Sequence, residues 1–238
     1  MAEIYQALRA AQRDGRSVAL VSCIAGGPVG AKLLTDGRTV IAAFDCSPAE
    51  AATWPALAAP LLGRGETALL TDGDRQLFVE SFVPAPVLYL IGGVHISVVL
   101  AQLARPLGFR TVVIDVREAF ASPERFSHVD ELITAWPDAA LAGRLDARSS
   151  VAVLTHDPKL DDPALRTALR SPARYIGALG SPATHAKRLE RLRAEGFSDA
   201  DLARIHGPIG LPIGARTAAE IALSILAQVV QTARGGRR

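Results

Sequence analysis

Apolar positions along the chain keep two different rhythms. In residues 3–13, Ile4, Ala7, Leu8 and Ala11 recur at helical spacing, and Gly15 closes the segment. Residues 17–24 are apolar and β-rich and predict a strand. Residues 31–34 and 39–43 predict two more, around a turn at Asp36-Gly37. Ser47 suits an N-cap and Pro48 the first position of a helix that runs to about Leu62. Residues 66–70 and 76–82 read as strands joined by Asp72-Gly73-Asp74.

The segment Val83-Pro84-Ala85-Pro86 favours an extended connector, because each proline pushes its predecessor away from helical angles. Beyond it the rhythm changes. Residues 87–91 are continuously apolar, as expected of a strand in a parallel sheet buried on both faces. Strands predicted at 111–114, 151–154 and 175–179 then alternate with helices at 96–107, 163–169, 183–194 and 218–232. The expected fold is α/β: a small N-terminal α/β domain, residues 1–83, followed by a Rossmann-like doubly wound parallel sheet, residues 84–238.

The 238 residues are 49% hydrophobic and 21% charged, a balance that builds a packed core. Net charge is +2, and the one dense basic run, Arg234-Gly235-Gly236-Arg237-Arg238, is expected to be a solvated chain end. With aromatics at 5%, no nucleic-acid surface is expected. Cys23 and Cys46 form neither a CxxC pair nor a disulfide framework. No positive n-region opens the chain and no apolar run reaches about 18 residues, so neither a signal peptide nor a membrane span is expected, and the cytoplasm is the expected compartment.

Candidate chemistry sits where predicted strands end. Leu88 to Ser97 reads as strand, glycine turn at Gly92-Gly93, then helix, an arrangement whose free N–H groups and helix dipole suit an anion. Asp115 closes the next strand 23 positions after Gly92, close to the usual place of an acid that grips a ribose. Val94 and Ser97 stand where a dinucleotide fingerprint has its second and third glycines, so a tight turn without ligand is the competing reading, and His95 a plain helix-start residue. Thr155-His156-Asp157 follows a buried strand and either lines a ligand crevice or caps the next helix. Gly177-Ala178-Leu179-Gly180-Ser181 repeats the strand, turn, helix order, with Ser181 as N-cap and Pro182 at the first position. The loop 206–214, rich in glycine and proline, is either functional or a corner that locks the last helix onto the sheet.

Taken in order, several segments resemble the XdhC/CoxI family, the accessory proteins of xanthine dehydrogenase and carbon monoxide dehydrogenase. They are Ile91-Gly92-Gly93-Val94-His95, Val113-Ile114-Asp115-Val116-Arg117, Val153-Leu154-Thr155-His156-Asp157, Tyr175-Ile176-Gly177-Ala178-Leu179-Gly180-Ser181 and His206-Gly207-Pro208-Ile209-Gly210-Leu211. The helix after Thr217 is similar too. In the N-terminal part, Pro28-Val29-Gly30-Ala31-Lys32 and Cys46 match more weakly, and the glycines that the family carries before the cysteine are absent.

The resemblance implies a chaperone without turnover. It would bind the molybdenum cofactor as cargo, in its molybdopterin or cytosine dinucleotide form, support its sulfuration and insert it into a molybdenum hydroxylase. Carried over residue by residue, it implies cofactor binding by Gly92, Gly93, His95, Asp115, Arg117, Thr155, His156, Asp157, Gly177, Gly180, Ser181, Pro208 and Gly210, with Cys46 as a soft ligand near the metal. Partners implied are a hydroxylase apoenzyme and a cysteine desulfurase; a homodimer is a separate expectation that the sequence leaves open. Two alternatives remain open: an NAD(P)-dependent oxidoreductase with His95 or His156 as proton-transfer residue, and a docking paralogue that has lost its ligand.

Overall fold

Short turns and alternating burial build the first half of the chain as an antiparallel sheet between two helices. Its elements are α1 (Ala2–Arg13), β1 (Val18–Ala25), β2 (Lys32–Thr35), β3 (Val40–Phe44), α2 (Pro48–Arg64), β4 (Ala68–Asp72) and β5 (Arg75–Phe82). The sheet order is β3-β2-β1-β5-β4. Alternate residues of β1 face opposite sides, as the pleat demands. Ala19, Val21 and Cys23 pack with Leu33, Leu77 and the α2 residues Trp54, Ala58 and Leu61. Val18 joins Leu34, Ala42 and the α1 residues Ile4 and Ala11. Helix α2 opens on a capping box, in which the Ser47 hydroxyl accepts from the Glu50 N–H and the Glu50 carboxylate accepts from the Ser47 N–H.

This computed structural model describes residues 1–235. The chain divides into two compact units, of which Met1–Pro84 is the first. The end of the basic run, residues 236–238, lies outside the described residues.

The second unit, from Ala85 on, contains β6 (Val87–Ile91), α3 (His95–Ala104), a 3-10 turn (Arg105–Leu107), β7 (Arg110–Ile114), β8 (Glu131–Ile133), α4 (Pro137–Leu141), β9 (Ser149–Val153), α5 (Pro158–Leu169), β10 (Tyr175–Ala178), α6 (Pro182–Ala194), α7 (Asp199–Leu202), β11 (Ile205–His206) and α8 (Ala218–Ala233). All six strands are parallel, in the order β11-β10-β9-β6-β7-β8. Numbered from β6, this is the doubly wound Rossmann order, and its direction reverses between β6 and β9. Residues of α4, α5 and α6 cover one face, with Leu141, Leu165 and Leu192 against Ile91 and Val153. Helices α3 and α8 cover the other, with Leu100 and Ile225 against Leu90 and Ala152.

Four short elements go beyond the sequence reading: β8, α4, α7 and β11. Two helices also depart from the predicted bounds by more than two residues at one end. Pro163, read as a helix opening, lies inside α5; Pro158 occupies the first turn and the Asp157 side chain caps it. Helix α3 ends at Ala104 rather than at 107, since Pro106 has no N–H to continue the ladder and the chain tightens into the 3-10 turn. Among the described residues, no helix is long and apolar enough to cross a membrane.

Candidate functional site

In an open parallel sheet the ligand crevice lies outside the carboxyl ends of the strands, where the order reverses. Here those ends are the turn after β6, the acid after β7 and the segments after β9 and β10.

The first glycine turn is held from within. Gly92 has φ 108°, and its N–H donates to the Ile114 carbonyl at 2.8 Å. A Cβ on Gly92 would stand 2.6 Å from the Thr155 side chain, and one on Gly93 would stand 2.3 Å from the Phe120 carbonyl oxygen. The Gly93 N–H donates to Asp115 Oδ2 at 2.8 Å. Asp115, 1% exposed, also accepts from the Arg117 N–H (3.0 Å), Nε (2.9 Å) and Nη2 (2.7 Å). Four bonds fill the acceptor positions of a carboxylate, so none remains for a ribose. Burial pushes the Asp115 carboxyl up, but the Arg117 hydrogen bonds and charge, with the Gly93 N–H, outweigh it and hold it below the usual carboxylate range. The Arg117 guanidinium lies over the Phe120 ring, 4.1 Å from its centroid, and senses the charges of Asp157 and Asp161 across the crevice. His95 is exposed at the start of α3, whose N-cap position is held by Val94 without a side-chain cap.

The second half of the sheet carries the denser chemistry. Asp157 caps α5 through the Lys159 N–H, and exposed His156 has φ 65°. The Thr155 hydroxyl accepts from the Asp157 N–H at 3.1 Å and donates to Asp161. Asp161 is buried in α5 and meets Arg188 of α6, Oδ2 to Nη2 at 3.2 Å. Burial pushes the Asp161 carboxyl up, and Thr155 and Arg188 only partly offset this. Arg188 is 1% exposed, and its Nη2 donates also to the Leu179 carbonyl at 2.9 Å. Its Nε and Nη1 have no hydrogen-bond partner. Unpaired buried donors cost about 1–3 kcal/mol each, more when charged, so such a group calls for a guest.

A cavity of about 260 Å³ opens beside it, lined by His156, Asp161, Thr184, Lys187, Arg188 and Arg191. Gly180, with φ 144°, precedes the α6 cap, where the Ser181 hydroxyl accepts from the Thr184 N–H. His185 packs its ring against Gly207, where a Cβ would stand 2.1 Å from Nδ1. That Nδ1 is buried and unpartnered; burial first, then the Arg188 charge, lowers the imidazole pKa and keeps it neutral near pH 7.

The remaining predicted positions serve the corner. Gly177 leaves room for Ile209, whose side chain a Cβ would meet at 2.6 Å. Past the cis Gly207–Pro208 bond, the Ile209 N–H donates to the Ala178 carbonyl, Gly210 to Gln228 Oε1 and Leu211 to the Ser224 carbonyl. Pro208 and Gly210 thus belong to a corner that ties α8 to β10. Cys46, in the first unit, is half-buried; its thiol pKa is raised by burial and then by the Glu50 charge, which disfavours the thiolate a metal takes. Among the described residues, no three His, Cys, Asp or Glu side chains are grouped to hold a metal ion.

Of the predicted positions, His156 lies on the wall of this cavity, and Asp157 and Ser181 cap α5 and α6, whose first turns also line it; Arg117 senses the charges of Asp157 and Asp161. The sequence reading passed over Asp161, His185, Lys187, Arg188 and Arg191. One signal was present: Arg188 falls four residues before Leu192, on the face of α6 that is buried.

The model of the XdhC Rossmann domain matches residues 88–229, more than half of the chain. The Escherichia coli (strain K12) protein YqeB is 34% identical over 159 residues, 67% of this chain and 29% of that protein. A probable xanthine dehydrogenase subunit from Bacillus subtilis (strain 168) is 33% identical over 162 residues, 68% of this chain and 47% of that one. The molybdenum cofactor insertion chaperone PaoD of Escherichia coli (strain K12) is 36% identical over 103 residues, 43% of this chain and 31% of its own. The chain thus spans less than half the length of each of these relatives. The crystal structure of a xanthine dehydrogenase from Bacillus halodurans superimposes with a TM-score of 0.71 at 25% identity, over 99% of this chain and 66% of that one. Strand order, the turns after β6 and β10 and the family match agree: the chain belongs to the XdhC family, and its second unit carries that family's Rossmann domain.

Proposed function

We propose that this chain is a carrier of the molybdenum cofactor that serves the maturation of a molybdenum hydroxylase of the xanthine dehydrogenase or carbon monoxide dehydrogenase type. The observation that carries the reading is the cation-lined crevice at the carboxyl ends of β9 and β10, in a chain that shares 36% identity with a cofactor insertion chaperone. The cofactor is an anionic pterin, as molybdopterin or with a cytosine dinucleotide tail. Lys187, Arg188 and Arg191 on the crevice wall supply positive charge, and His156 and Thr184 on the same wall offer polar groups to a ring edge, with Thr155, Asp157 and Ser181 as the neighbouring polar positions of this reading. Asp115 holds Arg117 beside the Gly92-Gly93 turn, Gly180 precedes the α6 cap, and Gly177, Pro208 and Gly210 belong to the corner that ties α8 to β10. A carrier needs no turnover, only release to the hydroxylase apoenzyme; a cysteine desulfurase, for sulfuration, and a second copy of the chain are the further partners of this reading.

A nicotinamide dinucleotide is less well served. The Gly93 N–H that would meet its pyrophosphate is taken by Asp115, and the Phe120 carbonyl lies against the turn. Reconstitution tests the choice. The chain purified from cells making the cofactor is expected to release a fluorescent oxidised pterin, and to bind added molybdopterin with a Kd of about 1 μM or below. NADPH at about 1 mM, a concentration that saturates ordinary cofactor sites, is expected to give no fluorescence enhancement. Absence of pterin together with absence of binding heat would overturn the proposal.

A further inference from the structure

We propose that the cavity between the first turns of α5 and α6 is a phosphate-monoester subsite centred on Arg188. The assignment rests on the carrier reading for the identity of the whole ligand, but the anion itself is argued from the cavity.

Arg188 is the unexplained group. It carries five N–H donors, and only Nη2 is engaged, by Asp161 and the Leu179 carbonyl. Nε and Nη1 are buried without a partner, although the residue lines an open cavity. A guanidinium so placed matches phosphate oxygens, which accept several charge-assisted hydrogen bonds at once.

The surroundings agree in sign. Arg191 is already paired with Asp162, at 2.7 and 2.9 Å. Arg188 faces the single carboxylate of Asp161. Lys187 has no ion pair among the described residues, so the wall keeps one positive charge beyond balance. Pro158 and Ala183 place the first turns of α5 and α6 at the same opening, with the positive ends of both helix dipoles toward it. Among the residues that line the cavity, Asp161 is the one acid. Burial raises its pKa from the ordinary carboxylate value, which disfavours its charged form.

Size limits the guest. At about 260 Å³ the cavity is smaller than the roughly 300–1,000 Å³ of sites that enclose a whole drug-sized ligand. It suits one end of a longer molecule, with the pterin lying outward over His156 toward Thr155.

Calorimetric titration of the full chain with inorganic phosphate, at low ionic strength, tests the site. Binding in the range of about 1 mM is expected, weakened at least tenfold in the R188M/D161N double variant, which removes both members of the buried pair together. Lys187 is exposed, so K187M keeps the fold and is expected to weaken binding about threefold. No phosphate binding by the wild type, or equal binding by all three proteins, overturns the proposal. Cytidine monophosphate forms the second arm. Binding tighter than phosphate, with the same losses in both variants, supports the site with a nucleotide tail beyond it; binding that ignores the substitutions counts against it. If R188M/D161N loses phosphate yet retains pterin at the wild-type level, the subsite assignment falls and the carrier reading stands. If the wild type binds phosphate but no pterin, the carrier reading falls and the anion site stands.

Discussion

Asp115 and Asp161 are both buried acids beside an arginine, and their surroundings set them opposite tasks. Asp115 has every acceptor position filled, so it acts as a lock that joins the turn after β6 to Arg117. Its carboxyl is held below the ordinary carboxylate range. A group with a lower pKa in the folded state contributes stability above its unfolded value, about 3.9, and loses it as pH falls through the folded value. The D115N variant is therefore expected to be destabilised by about 1–3 kcal/mol at pH 7, through lost charge-assisted bonds to Arg117 and Gly93. At pH values well below about 4 the gap between wild type and variant is expected to narrow, because the wild-type carboxyl is then itself becoming protonated. Urea unfolding at the two pH values measures this; a gap independent of pH would mean that folding leaves the Asp115 pKa where it stands in the unfolded chain. Asp161 differs because one of its partners, Arg188, has donors left over, and this is why the anion site is assigned beside Asp161 and not beside Asp115.

At the scale of elements, the glycine turn after β6 fits because two backbone segments approach too closely for a side chain. A Cβ on Gly93 would meet the Phe120 carbonyl, which belongs to main chain and has no rotamer to yield. The G93A variant is expected to lose about 1–3 kcal/mol. Gly63 is the contrasting case: it lies inside α2, with nothing within 4 Å of its added Cβ and no positive φ. G63A is expected to gain about 0.5–1 kcal/mol, since alanine loses less backbone freedom in a helix. Denaturant midpoints of the two variants, moving in opposite directions, check the pair. These elements also show what the sequence made legible. The strand at 87–91 and the caps at Ser47 and Ser181 were readable because apolar runs and capping chemistry are local. β8 and β11 were not, because strands of three and two residues are held by their neighbours in the sheet and leave no periodicity. Pro158 and Pro163 both satisfy the rule for a helix opening, and only the Asp157 cap decides between them. The same limit applied to the site. Glycine turns announced where the crevice lies, but that Asp115 folds back onto Gly93, and that Arg188 turns inward between α5 and α6, are tertiary facts.

On the scale of the whole molecule, each unit closes its own core. In the first, Trp54 is completely buried among residues of α2, β1, β2 and β5. In the second, both faces of the six-stranded sheet are covered by helices of the same unit. A unit of each size, with its own core, is large enough to fold alone by the usual relation of length to buried surface. We therefore expect residues 1–84 and residues 85–238, produced separately, each to unfold cooperatively. The two tryptophans make the test clean, because Trp54 lies in the first unit and Trp136, half exposed, in the second. In the full chain carrying W136F, fluorescence reports Trp54 alone, and replacing an exposed ring should leave stability within about 0.5 kcal/mol. If the units are thermodynamically independent, the Trp54 transition of that protein coincides with the transition of the isolated 1–84 piece. A midpoint lower by more than about 8 °C in the isolated piece, equivalent to more than roughly 1 kcal/mol for a unit of this length, would show that the second unit stabilises the first.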